Sequence, residues 1–229
     1  MSQRRRERTP RDPVTGRPVT AGAVRLVVLD FDGTLADSFG WFCSVLNEVA
    51  DRHRFRRVEA GEAEALRALG AREIVRLLGI PRWRLPLIAR HMHRLAARDA
   101  GDLRLFPGVE AMLADLGSAA VPVAILSSNR EDTVRRVLGP ACADRVDAYA
   151  CGVSVFGKAR RLRRLIARAG VPAPTVLCVG DEIRDLEAAR AVGCAFGAVS
   201  WGYTHARALA AHAPDHLFGE PAEIVAAIA

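Results

Sequence analysis

No apolar run in the 229-residue chain approaches the roughly 20 residues a helix needs to cross a bilayer, so no such segment is expected. The basic start of the sequence has no apolar h-region and no small-residue cleavage site, so no export signal is expected there. Cysteines are few: Cys43, Cys142, Cys151, Cys178 and Cys194 are odd in number, scattered, and form no Cys-X-X-Cys pair. That pattern argues against a disulfide framework or a zinc site and for reduced thiols in a cytoplasmic protein. Lysine is nearly absent. Lys158 stands alone among 33 basic residues, the rest being arginine. A surface cation can be either type, but a compact ammonium does not exchange for a guanidinium in a tight site. Lys158 is therefore a functional candidate.

What is plentiful is arginine, unevenly spread. Of the formal charge of +7, residues 1–20 supply +4, with Arg4, Arg5, Arg6, Arg8, Arg11 and Arg17 against Glu7 and Asp12. Residues 1–22 contain almost no large apolar side chains, so a disordered basic tail is expected. With the charge concentrated there, no nucleic-acid face is required. The later cluster Arg160, Arg161, Arg163, Arg164 and Arg168 lacks interleaved aromatics and reads as an exposed helix face. Half of the residues are apolar, enough for one large or two modest domains.

The chain is organised around Leu26 to Ser38. An apolar run, Val24 to Leu29, ends in two carboxylates, Asp30 and Asp32, and Gly33 then allows a tight turn. Such a run fits a strand buried on both faces of a parallel sheet, where ligands gather beyond the carboxyl ends of the strands. Two acids stepping off that edge repel, and a hard divalent cation with oxygen ligands, Mg²⁺, is the economical compensation.

From Ser38 to about Arg104 the sequence reads as helices with no strand-like run, an inserted domain over 37–104. Residues 23–36 and 105–229 then form an α/β core. Short apolar strands are predicted at Val121 to Leu126, Ala148 to Cys151, Thr175 to Val179, Ala195 to Ser200 and His216 to Phe218. Helices are predicted from Pro107 through Leu116, through Leu138, over Lys158 to Arg168 and over Arg184 to Val192. Alternating strands and helices imply a Rossmann-like parallel sheet covered on both faces. His91, His93, His205 and His212 have no metal-ligand spacing and read as surface or packing residues.

Four strand ends bear chemistry in order: Asp30-Phe-Asp32-Gly33-Thr34, then Ser127-Ser128-Asn129, then Lys158, then Gly180-Asp181-Glu182-Ile183-Arg184-Asp185. This order resembles the haloacid dehalogenase-like hydrolase superfamily, in particular phosphoglycolate phosphatase-like members with a helical cap. The resemblance runs from about Val24 to the end of the chain. It implies that Asp30 is a nucleophile that forms an aspartyl-phosphate and that Asp32 is the general acid and base. It places the metal on Asp30, the backbone carbonyl of Asp32 and Asp181, with Asp185 in support. Gly33, Thr34, Ser127, Ser128, Asn129 and Lys158 are expected around the phosphate, with Glu182 tuning the site. The partner is a small phosphorylated metabolite, and the protein is a monomer or dimer. A sugar-phosphate mutase or an idle phospho-ligand module on the same core are the rival readings. Residues 38–104 contain one Asn and no Gln, Tyr or Thr, which suits a compact acid phosphate better than a sugar ring. Arg72 is the candidate there for facing substrate.

Overall fold

The computed structural model describes residues 24–154 and 157–228, so the tail over 1–22 lies outside the described residues. Strand β1 (Leu26–Leu29) is buried at all four positions. Its side chains alternate between two cores: Val27 and Leu29 join one cluster, Leu26 and Val28 the other. That is why the run is apolar without alternation; each such side chain contributes about 1.5–3 kcal/mol on burial.

After β1 come β2 (Ala36–Asp37) and four helices, α1 (Phe39–His53), α2 (Glu62–Leu66), α3 (Ala71–Leu77) and α4 (Leu85–Arg98). Strand β3 (Arg104–Leu105) closes the insertion by pairing antiparallel with β2, Ala36 opposite Leu105 and Asp37 opposite Arg104. The sequence predicts no strand at either place, because two residues are too few to leave a period-two pattern. The insertion has its own small cores. Val45 and Val49 of α1 meet Leu95 of α4, with Trp41, Phe55, Ile88 and Met92 around them. Val58, Leu66 and Leu78 form the second. His91 is buried on α4 and hydrogen-bonds His53 at 3.1 Å, a packing role.

The remainder alternates: α5 (Val109–Ser118), β4 (Val123–Leu126), α6 (Glu131–Ala143), β5 (Ala148–Ala150), α7 (Lys158–Ala169), β6 (Val176–Gly180), α8 (Ile183–Val192), β7 (Ala195–Val199), α9 (Ala206–Ala211), β8 (His216–Phe218) and α10 (Ala222–Ala226). The helix predicted to stop at Leu138 does break there, since Gly139 (φ 70°) leaves helical geometry before Pro140 resumes it. All six core strands are parallel in the order β5-β4-β1-β6-β7-β8. Helices α5, α6 and α10 cover one face, and α7, α8 and α9 the other. Strand β1 lies between β4 and β6, so the chain departs from it in opposite directions and leaves a crevice at its carboxyl end.

Candidate active site

Asp30 follows β1 directly, and its backbone N–H donates to Val179 O at 2.9 Å. Asp181 follows β6, Asp185 lies on the first turn of α8, and Lys158 is the first residue of α7. Strands β1 and β6 end, and helices α7 and α8 begin, at one sheet edge, so four groups distant in sequence converge. Lys158 Nζ lies 2.6 Å from Asp30 Oδ2 and 2.5 Å from Asp185 Oδ1, and all three side chains are buried. Oxygens of Asp30, Asp181 and Asp185 all lie within 4.8 Å of one another.

The charges do not balance. Burial raises the Asp30 carboxyl to about 7, against the pull of Lys158. Burial also raises Asp181 well above its ordinary value, with the neighbouring Glu182, Asp30 and Asp185 adding to the shift. Burial alone would lower Lys158, but Asp185 and Asp30 carry it above its ordinary value, so its ammonium persists. Three clustered buried carboxylates, only two of them paired with the ammonium, offer oxygen donors alone, the donor set of a hard divalent cation, and Mg²⁺ fits it.

Asp32 stands apart from that cluster. It is half-buried, and its Oδ1 accepts from Ser38 Oγ at 3.1 Å. Burial raises its pKa, while Ser38, Lys158 and the Asn129 side chain oppose the rise. The carboxyls of Asp30 and Asp32 therefore occupy different surroundings two residues apart, a division suited to different roles.

The candidate phosphate groups divide. Ser127 is fully buried at the end of β4, and its Oγ accepts from Asn129 N at 3.0 Å, which leaves its own hydrogen to donate. Ser128 is half-buried, and its backbone hydrogen-bonds His93 of α4, so the insertion touches this motif. Gly33 and Thr34, expected at the phosphate, have donors committed elsewhere. Gly33 N–H donates to Ala36 O at 2.9 Å, and Thr34 Oγ1 donates to Asp181 Oδ1 at 2.8 Å. Thr34 thus orients a carboxylate. Gly33 has φ +76°, and a β-carbon there would strike Asp181 Oδ2 and the Tyr203 ring, so only glycine fits.

Several site residues escaped the sequence reading. Tyr203, just past β7, donates its backbone N–H to Asp181 Oδ2 at 2.8 Å, and its Oη lies 2.9 Å from Ser38 Oγ. Trp201 Nε1 donates to Thr34 O at 3.1 Å. Arg67, following α2, donates to Tyr203 O and Gly202 O, each at 2.9 Å. Tyr203 could have been suspected, because it lies past the end of a predicted strand at the edge where the other motifs gather. Arg184 pairs with Glu182, and its Nε is the one buried side-chain nitrogen or oxygen among the described residues without a hydrogen-bond partner. Arg72 is exposed and lies 3.9 Å from Glu187 of α8. With Arg76, Lys158 and Arg184 it lines a cleft of about 350 Å³ between α3 and the core. Arg160, Arg163, Arg164 and Arg168 are exposed on α7, as expected, but Arg161 is half-buried because it turns inward to donate to Cys151 O at 3.1 Å.

The profile of the family described as haloacid dehalogenase-like hydrolase matches residues 27–199. A phosphoglycolate phosphatase of Synechococcus elongatus is 32% identical over 206 residues, spanning 90% of this chain and 97% of that one. The tyrosine-protein kinase PtkA of Mycobacterium tuberculosis is 29% identical over 80% of this chain and 64% of its own length. Among solved structures, CbbY of Rhodobacter sphaeroides, in complex with xylulose 1,5-bisphosphate, shares the fold. Its TM-score is 0.67 at 22% identity, covering 90% of this chain and 99% of that one. Among the described residues no helix is long and apolar enough to cross a membrane.

Proposed function

The chain belongs to the haloacid dehalogenase-like hydrolases and is a phosphoglycolate phosphatase-like phosphoric monoester hydrolase; on that premise we propose that it hydrolyses a compact, anionic phosphate monoester through an aspartyl-phosphate on Asp30. The reading rests on one observation, the convergence of Asp30, Asp181, Asp185 and Lys158 at the carboxyl edge of the sheet.

Asp30 attacks phosphorus, and the bond to the leaving oxygen breaks as the new acyl-phosphate bond forms. Asp32 donates its proton to the leaving alkoxide and later takes a proton from the water that attacks the acyl-phosphate. Phosphate departs and Asp30 is regenerated. Ser127 donates to a phosphoryl oxygen, and Lys158 offsets negative charge while restraining Asp30 and Asp185. Asp30 and Asp181, with Asp185 beside them and the Asp32 carbonyl, would hold Mg²⁺, which when bound supplies positive charge against the carboxylates and the phosphate. Residues 37–104 act as a cap over the strand ends, limiting bulk water during turnover.

The test is phosphate release from phosphoglycolate with MgCl₂, by wild type and by Asp30→Asn. Loss of about 10⁴-fold or more in the variant, with the fold intact by circular dichroism, is expected for removal of the nucleophile. Substantial turnover by pure Asp30→Asn would rule out covalent catalysis at this residue. A parallel assay with glucose 1-phosphate and catalytic glucose 1,6-bisphosphate addresses the mutase. Isomerisation without net phosphate release there, and none from phosphoglycolate, would overturn hydrolysis.

A further inference from the structure

Tyr203 touches two functional carboxylates by different routes. Its backbone N–H donates to Asp181, and its phenol meets Ser38, which in turn donates to Asp32. A hydroxyl has one hydrogen, so if Ser38 gives its own to Asp32, the phenol is the donor in the 2.9 Å contact. The Ala36 carbonyl, 3.5 Å from Ser38 Oγ, competes for that same hydrogen. Accepting from Tyr203 turns the Ser38 hydroxyl away from Ala36 and toward Asp32.

The phenol is itself held. Its ring packs edge-on against Phe39 with centroids 5.2 Å apart and at a tilt against Phe42 at 5.6 Å. Its peptide is pinned by Arg67 on the carbonyls of Gly202 and Tyr203. A carboxyl group rotates in a broad, two-fold well, so its aim depends on such fixed partners. A general acid must bring its proton within hydrogen-bond reach of the leaving oxygen.

We propose that Tyr203 is a positioning residue which, through Ser38, aims the Asp32 carboxyl at the leaving-group oxygen. This rests on the reading of Asp32 as the general acid given above. The step served is the breaking of the phosphorus–oxygen bond: its electron pair goes to the leaving oxygen, which takes the Asp32 proton. An alkoxide needs that proton, whereas p-nitrophenolate departs without it. Misaiming Asp32 therefore slows alkyl phosphates selectively.

The experiment compares wild type, Tyr203→Phe, Ser38→Ala and the double variant on phosphoglycolate and on p-nitrophenyl phosphate, with melting curves for each. Tyr203→Phe keeps the ring and the backbone contacts and is expected to melt with wild type. Its kcat/KM reports the steps through departure of the leaving group, and not the later attack of water that Asp32 also serves. That value should fall about tenfold on phosphoglycolate and no more than about threefold on p-nitrophenyl phosphate, since general acid catalysis contributes roughly 10²–10⁴-fold and only its aim is lost. The double variant should lose no more than Ser38→Ala alone, because the two groups act in series. Equal losses in kcat/KM on both substrates, or losses that multiply in the double variant, would overturn the proposal while leaving the phosphatase reading in place. Absence of phosphate release from either substrate by wild type would instead remove the reading beneath it.

Discussion

Lys158 is wedged between Asp30 and Asp185 at 2.6 and 2.5 Å, with its side chain 4% exposed. No room remains for a planar guanidinium with donors fixed in a fork. Lys158→Arg should therefore lower kcat by about 10²-fold or more despite the retained charge, and Lys158→Ala at least as much. Activity of the arginine variant within about twofold of wild type, by steady-state phosphate release, would make the lone lysine an accident of composition. This residue was legible because rarity in the chain and burial in the fold coincide. Asp30, Asp32 and Asp181 were legible because they step off apolar runs. Ser38 and Tyr203 were not, since their meeting spans 165 positions and depends on the loop after β7 reaching past β6 to the segment after β1. Thr34 was placed in the right loop, but its hydroxyl turns to Asp181.

Among the elements, those read well are the ones long enough to show a period. Strands β1, β4 and β6 stand out as apolar runs, and α7 as Leu162, Leu165 and Ile166 on one buried face. The two-residue strands β2 and β3 and the short helices α9 and α10 left no such pattern. Yet β2 and β3 fix where the insertion enters and leaves, and Arg67 ties that insertion to the loop after β7. It bonds two carbonyls there, lies 4.9 Å from the Phe39 ring centroid, and pairs with Glu64 at 3.1 Å. His205 N–H donates back to Arg67 O at 2.9 Å, so the contact is mutual. Replacing Arg67 by alanine removes two charge-assisted bonds, each worth about 1.5–3 kcal/mol where desolvated and less where half-exposed. Arg67→Ala should reduce kcat/KM by about tenfold and speed amide hydrogen exchange across residues 202–205. Unchanged exchange there would show that the insertion is held by other contacts.

At the scale of the whole molecule, a formally basic chain of +7 folds around an acidic centre, where three buried carboxylates cluster and Lys158 pairs with two of them. That mismatch sets a pH dependence for folding. The Asp30 carboxyl rises from 3.8 to about 7 on burial, and Asp181 also rises. Between those values the folded chain holds protons that the unfolded chain has released, so stability falls as pH increases. The contribution is fully present below about pH 4 and is lost as pH climbs through the folded value near 7. A divalent cation among the same oxygens offsets the loss, because it binds the ionised site and has no such site in the unfolded chain. The metal-free protein, prepared with EDTA, should therefore melt at a lower temperature at about pH 8 than at about pH 5. Adding millimolar Mg²⁺ should raise the melting temperature more at the higher pH than at the lower. Asp30→Asn cannot release this proton, so the variant should show a flatter pH dependence without metal and a smaller gain with it. Equal Mg²⁺-induced shifts at both pH values, in wild type and variant alike, would mean that the carboxylate cluster does not hold the ion.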